Sequence, residues 1–97
     1  MSYLEKTFRP HLRLTLLRLL HEAPEYSLNA SILRDGAQAA GLTASRDQIE
    51  SEIAWLSEQD LVTVTSVGSL TIARLTLRGH DVAAGSAVVP GVKRPSP

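Results

Sequence analysis

The residue types that most often carry out catalysis are scarce in this sequence. No cysteine occurs among the 97 residues, which excludes a thiolate nucleophile, a disulfide and a cysteine-ligated zinc ion. Three histidines are present, but His11 and His21 are ten residues apart and His80 is far from both along the chain. This spacing exceeds the single helical turn that brings two histidines to one metal ion. We therefore predict no metal site and no cofactor.

Serine and carboxylate side chains are not arranged for nucleophilic or acid–base catalysis either. Ser31, Ser45 and Ser51 lack the histidine and acid context of a catalytic triad. Glu50 and Glu52 are two residues apart, so on a helix they point to different faces and do not form a carboxylate pair. A glycine-rich phosphate loop is also absent from the sequence. The sequence therefore predicts a protein that is not an enzyme.

A different chemistry is available to four polar residues near the middle of the chain. An arginine such as Arg46 can pair with guanine, and a glutamine such as Gln48 can pair with adenine. Thr43 and Ser45 precede them and are able to bond to backbone phosphates. These four residues predict contact with double-stranded DNA, provided that they lie at the exposed beginning of a helix.

Three helices are predicted from the spacing of apolar residues and from end signals. After a short lead-in over residues 2–8, the first helix starts near Pro10 and ends at about residue 21. The second follows Asn29, a good N-cap, and Gly41 ends it. The third has Ser45 as its N-cap and ends near residue 59 or 60. The link between the second and third helices is short, as in a helix-turn-helix corner.

Beyond the third helix, the apolar period changes to that of a strand. Residues 62–67 and 70–75 are rich in β-branched or apolar side chains, and Gly68-Ser69 between them is a turn signal, so they predict a two-stranded hairpin. Thr76 is placed to cap a short last helix over residues 77–84.

Residues 86–97 contain several prolines and a glycine, and we predict an extended tail outside the core. The chain is thus expected to divide into one domain over residues 1–85 and a tail over residues 86–97.

Three helices followed by a hairpin and a short last helix is the order of a winged helix-turn-helix domain. We therefore predict a mainly α fold with a small two-stranded wing. Two motifs support this assignment by resemblance. The stretch IAWLSEQDLV over residues 53–62 resembles the end of the third helix in winged-helix regulators. The stretch LTLRG over residues 75–79 resembles their step from the wing into the last helix.

The chain also resembles a small family of winged-helix proteins encoded by Mu-like prophages. The similarity lies in HLRLTLLRLL over residues 11–20, SRDQIESEIAWLSEQDLV over residues 45–62 and DVAAGSAVVPGVKRPSP over residues 81–97. The resemblance implies a phage-encoded, regulator-like protein in the cytoplasm of a bacterial host. No membrane span is expected, because the most apolar stretch, residues 14–20, is about one-third of the required length.

Charge is balanced overall but unevenly distributed. Hydrophobic residues make up 43% and charged residues 21%, which excludes a disordered chain. Net charge is +3 over residues 1–18, −6 over residues 19–60 and +3 over residues 61–97. Phosphate contacts are therefore expected from basic residues outside the third helix as well. The candidates that we assign to DNA binding are Arg34, Arg74, Lys93 and Arg94.

The third helix itself gives rise to an alternative function. Residues 45–60 sum to −4, and each acid near a phosphate weakens DNA binding. The alternative is a protein-interaction module in which this acidic helix and Trp55 contact a phage or host protein. DNA binding, with regulation of phage genes as its consequence, is the leading hypothesis.

We also predict a homodimer, with Leu14, Leu17 and Trp55 as interface residues. Leu14 and Leu17 lie off the main apolar face of the first helix. Either a buried central helix or a dimer contact explains them, since 97 residues leave little core to enclose a helix. Trp55 lies beside the apolar face of the third helix, where half-burial, a partner surface and a DNA contact all stay open.

Overall fold

The computed structural model describes residues 3–96, with side chains from Lys6 onward. Within that range, helices and strands follow one another in the order α1–β1–α2–α3–β2–β3–α4. The helices are α1 (Tyr3–Glu22), α2 (Ala30–Ala39), α3 (Arg46–Glu58) and α4 (Leu77–Ala84). The strands are β1 (Ser27–Asn29), β2 (Val62–Val67) and β3 (Leu70–Leu75). The protein is therefore an α/β domain with four helices and one antiparallel sheet.

The sheet has three strands, so the prediction of a two-stranded wing is wrong. β3 lies in the centre and pairs with β2 on one side and β1 on the other. Ala73 of β3 is opposite Val64 of β2 and Leu28 of β1. Three residues are too few to show an alternating pattern, and β1 exists only because β3 supplies its hydrogen-bond partners. The predicted hairpin itself, β2 and β3, is present at the expected residues.

α1 begins at Tyr3, and Pro10 lies inside it. The prediction that residues 2–8 form a lead-in is therefore wrong. Neither proline nor glycine occurs between Tyr3 and Arg9 to interrupt a helix. Pro10 lacks only its own N–H, so the helix loses one internal hydrogen bond there and continues.

Each of the three later helices begins directly after the residue that the sequence predicts as its cap. In all three, a side-chain oxygen accepts a hydrogen bond from the backbone N–H three residues later, as an N-cap does. The pairs are Asn29 Oδ1 with Ile32 N at 2.9 Å, Ser45 Oγ with Gln48 N at 3.1 Å and Thr76 Oγ1 with Gly79 N at 3.0 Å. The starts of α2, α3 and α4 are thus determined locally.

Gly41 ends α2 and turns the chain toward α3. Its φ of 89° lies in the left-handed region, which glycine adopts without a steric penalty. The N–H of Leu42 donates to the carbonyl of Ala37 at 2.8 Å, and the Leu42 side chain packs against the core. This terminus keeps the connection to α3 short, as predicted.

α1 is the central helix of the domain. It packs against α2, α3, α4 and β3. Its fully buried leucines face apolar side chains of the other elements. The core includes Leu12, Leu16, Leu17, Leu20, Leu33, Ile49, Ile53, Leu56 and Leu61.

Leu14 and Leu17 are only 5% and 0% exposed within the single chain. The buried central helix is therefore the correct alternative for these leucines, and the predicted dimer interface has no exposed surface there.

The C-terminal segment helps to enclose α1. Val89 and Val92 are buried, so the prediction that residues 86–97 lie outside the core is wrong for this part of the segment. The backbone N–H of Lys93 donates to the carbonyl of Pro10 at 3.1 Å, which holds the segment along α1. Chain folded back in this way supplies apolar surface that a short domain otherwise lacks.

Among residues 3–96, no helix has both the length and the apolar character that crossing a bilayer requires.

We expect Gly79→Ala to lower the free energy of unfolding by about 3 kcal/mol, because the added methyl group overpacks the core. A Cβ at Gly79 would collide with the Leu61 carbonyl oxygen and would lie 2.6 Å from Leu75 Cδ1. Urea denaturation monitored by circular dichroism measures the change.

Gly36→Ala is the matched control. Its Cβ would meet the end of the half-buried Leu19 side chain, which can rotate, and alanine favours the helix by about 1 kcal/mol. We expect its stability to stay within about 1 kcal/mol of the wild type. Equal stability of the two variants would contradict the packing described at Gly79.

Candidate nucleic-acid interface

The beginning of α3 and the residues before it form an open tip. Ala44 is buried, whereas the residues around it are exposed or half-buried. The residues that the sequence singles out here are Thr43, Ser45, Arg46 and Gln48, of which only Gln48 is half-buried. On the opposite side, α3 rests on Ile49, Ile53 and Leu56, whose exposure is 1% or less. The tip is therefore accessible and rigidly supported.

Arg46 joins this tip to the turn of the hairpin. Its Nη2 donates to the carbonyl of Ser69 at 3.1 Å, and its Nε donates to Oε2 of Glu50 at 3.2 Å. Glu50 Oε1 in turn accepts from the hydroxyl of Thr71 on β3 at 3.2 Å. The Arg46 side chain nevertheless keeps 44% of its surface exposed. These contacts link the start of α3 to the β2–β3 hairpin, where Val67 and Leu70 on either side of the turn are exposed.

The hydroxyl group of Ser45 caps α3 and is also available to donate to an external acceptor. Its oxygen already accepts the capping hydrogen bond from Gln48 N. The hydroxyl proton is not used by that bond, so Ser45 can still donate to an external acceptor. Thr43, two residues earlier, is exposed, and its hydroxyl group can also donate to an external acceptor.

Of the basic residues predicted to contact DNA, Arg34 lies beside the tip. Its Nε donates to the carbonyl of Ala44 at 3.1 Å, which braces the corner before α3. Arg74 lies elsewhere, on the outer face of the sheet, because its neighbours Ala73 and Leu75 point into the core. The structure therefore groups Arg34 with the tip but not Arg74.

Lys93 and Arg94 lie in the C-terminal segment beside the first half of α1. Together with Lys6 and His11, they line a groove of about 330 Å³. Both are exposed. The lining of this groove includes no residue of the α3 tip.

Glu52 supports α3 from inside the fold, and its burial is not predicted from the sequence. It is only 2% exposed, and its Oε1 accepts from Arg13 Nε at 2.7 Å. Arg9 Nε lies 3.4 Å from Oε2. The sequence does contain an indication of this burial. Glu52 follows Ile49 by three residues and precedes Ile53, which places it at the edge of the apolar face of the helix. A carboxylate buried there requires a cation.

The burial of Glu52 changes how the charge of α3 should be counted. The value of −4 from the sequence treats five acids as facing solvent. Glu52 instead faces α1 and is neutralised there, and Glu50 is paired with Arg46. Asp47, Glu58 and Asp60 are the remaining acids, and all three are exposed. The outward negative charge is therefore smaller than the composition indicates.

Trp55 is half-buried, as one of its three alternatives predicts. The guanidinium carbon of Arg13 lies 3.8 Å from the centroid of its ring, within range of a cation–π interaction. Gly91 packs against the other part of the ring, since a Cβ there would come within 2.8 Å of Trp55 Cζ2. Arg13 and the C-terminal segment thus cover surface that the predicted dimer interface requires.

Two of the histidines come together in the fold. The ring centroids of His21 and His80 are 5.2 Å apart, and Tyr26 lies 4.4 Å from His80. In the part of the chain that the structure describes, however, nowhere do three or more histidine, aspartate or glutamate side chains gather as metal ligands would. This cluster is aromatic packing between the end of α1 and α4.

The fold and the site define a small α/β domain with an exposed helix tip beside a hairpin turn. The chain is 47% identical over 85 residues to the uncharacterized protein gp26 of Escherichia phage Mu, and the match covers 88% of each chain. It therefore belongs to the family of phage Mu gp26. The predicted relationship to proteins of Mu-like phages is confirmed by this match.

A second relative is an uncharacterized protein of Haemophilus influenzae. It is 44% identical over 52 residues, which are 54% of this chain and 50% of that protein. No protein-family model matches the chain, and no solved structure does. Function must therefore be argued from the site itself.

We expect Glu52→Gln to lower the free energy of unfolding by about 3 kcal/mol, because it leaves the charge of Arg13 buried without a counter-ion. Urea denaturation followed by Trp55 fluorescence measures the change. Glu58→Gln removes the same charge from an exposed position of α3 and should shift stability by less than about 0.5 kcal/mol. If the two variants were equally stable, the buried ion pair would not contribute as described.

Proposed function

We propose that this protein is a winged helix-turn-helix domain that binds double-stranded DNA through α3. The observation that carries the proposal is the exposed tip of α3, joined to the hairpin turn by the hydrogen bond from Arg46 to Ser69. The short corner between α2 and α3 and the sheet beside α3 also fit this class.

In this proposal, the beginning of α3 enters the major groove. Arg46 exchanges its contacts with Glu50 and Ser69 for the O6 and N7 atoms of a guanine, and Gln48 pairs with an adenine. An exposed ion pair contributes about 0.2–1 kcal/mol. A bidentate base contact discriminates by about 1–3 kcal/mol. The discrimination at a correct base is therefore larger than the ion pair that Arg46 gives up, and Glu50 then keeps its hydrogen bond from Thr71.

The phosphates on either side of the bases are contacted by short polar groups. Thr43 and the free hydroxyl proton of Ser45 donate to phosphate oxygens at the tip. Arg34 adds positive charge beside them. The inward orientation of Glu52 supports this function, because it removes one acid from the surface that approaches DNA. Regulation of phage genes in a bacterial host is the consequence that we propose.

The alternative, a protein-interaction module, depends on the acidic third helix and on Trp55. Burial of Glu52 and the cover over Trp55 reduce the surface on which it depends. These observations favour DNA binding over the alternative.

Selection from a pool of duplexes randomised over about two helical turns tests the proposal. We expect a preferred sequence to be enriched. Arg46→Ala should weaken binding to it by about 5-fold or more and relax the preference at a guanine, because a bidentate contact is lost. Gln48→Ala should do the same at an adenine. Fluorescence anisotropy measures the affinities.

Arg18→Ala is the matched control, since it removes an equal charge from an exposed position on α1. It should leave the base preference unchanged. If the wild type binds no duplex even at low salt, the proposal is wrong, and the protein-interaction alternative takes its place.

A further inference from the structure

The groove beside the first half of α1 is strongly basic. It has a volume of about 330 Å³. Its lining consists of Lys6, Thr7, Pro10, His11, Lys93 and Arg94. None of these is acidic, so the groove has a charge of +3 with His11 neutral. Among the side chains of residues 6–96, no carboxylate forms an ion pair with Lys6, Lys93 or Arg94.

The C-terminal wall of this groove is fixed in place. Val92, directly before Lys93, is buried, and the backbone N–H of Lys93 donates to the carbonyl of Pro10 at 3.1 Å. Gly91 directly precedes Val92, and its carbonyl accepts a hydrogen bond from Arg13 Nη1 at 3.0 Å. The backbone that carries Lys93 and Arg94 is therefore held opposite α1 before any ligand arrives. Such preorganisation lowers the entropic cost of binding.

The two segments that form the groove also contact α3, through residues outside the groove lining. Arg9 and Arg13 of α1 both contact Glu52 of α3. Gly91, two residues before Lys93, packs against Trp55 of the same helix. A duplex bound along α3 therefore has to extend past these contacts to reach the groove.

We propose that this groove is a phosphate-binding site and that its ligand is the backbone of the DNA duplex that α3 contacts. This inference rests on the proposed function for its ligand. Three cations around one concave surface match the charge of adjacent backbone phosphates, and they compensate for the lack of a basic residue in the Gly68-Ser69 turn. The groove positions the duplex and carries no base specificity.

The first experiment tests the groove without DNA. Inorganic pyrophosphate is added to the ¹⁵N-labelled full chain, and amide chemical shifts are recorded. We expect saturable shifts centred on His11, Lys93 and Arg94. They should need at least about ten times more pyrophosphate in the Lys93→Ala/Arg94→Ala double variant, and Arg18→Ala should behave as the wild type. Shifts that are absent, or that are spread evenly over the chain, overturn the site.

The second experiment identifies the source of the phosphate. Duplex affinity is measured at several salt concentrations for the wild type and the double variant. In the double variant, we expect the negative slope of log affinity against log salt to become shallower by about 2. Two phosphate contacts are lost, and each contributes about 0.9 to the slope. Selected and random duplexes should be weakened equally. The two substituted side chains are exposed, so the thermal midpoint should be unchanged.

The possible results separate the two proposals. If the wild type binds DNA and the double variant keeps its slope, the inference is wrong while the proposed function stands. Pyrophosphate binding combined with an unchanged slope would indicate a site for a free phosphate compound and would overturn the assignment to the backbone. If no duplex binds, the proposed function is wrong, and the backbone assignment is wrong with it.

Discussion

A carboxylate that is almost completely buried requires a cation beside it, and Glu52 of α3 finds one in Arg13 of α1. The same guanidinium stacks on Trp55 and donates to the carbonyl of Gly91. One arginine therefore connects α1, α3 and the C-terminal segment. These three parts are far apart in sequence, and this cluster of contacts joins them at the edge of the apolar core that α1 and α3 share.

From residue 6 onward, the apolar side chains of α1 are covered by the rest of the domain, while Arg9 and Arg18 of the same helix stay exposed. α2, α3, α4, β3 and the C-terminal segment all pack against the helix. The buried apolar side chains of α1 include Leu14 and Leu17, the two leucines that suggested a dimer from the sequence. The exposed side chains of α1 include Lys6, Arg9 and Arg18, which attract a negatively charged partner. Elsewhere the surface also carries large apolar side chains, such as Leu77 and Val88.

The two ends of α3 also differ in charge. Near its start, Arg46 connects the helix to the hairpin turn and is paired with Glu50, while Asp47 stays exposed. Toward its end, Glu58 and Asp60 stay exposed without a pairing arginine on the helix. A phosphate backbone would be attracted to the groove beside α1 and repelled most strongly from the last turn of α3. The separation of these regions gives a partner one preferred orientation.

Local signals in the sequence determined much of this fold. The caps at Asn29, Ser45 and Thr76, the turn after Gly41 and the hairpin depend on residues close together in the chain, so each could be predicted. The four polar residues at the α3 tip were found in the same way. The third strand, the packing of Val89 and Val92 and the burial of Glu52 could not be found by these signals. Each depends on a partner far away in the sequence, and only the folded chain brings the two together.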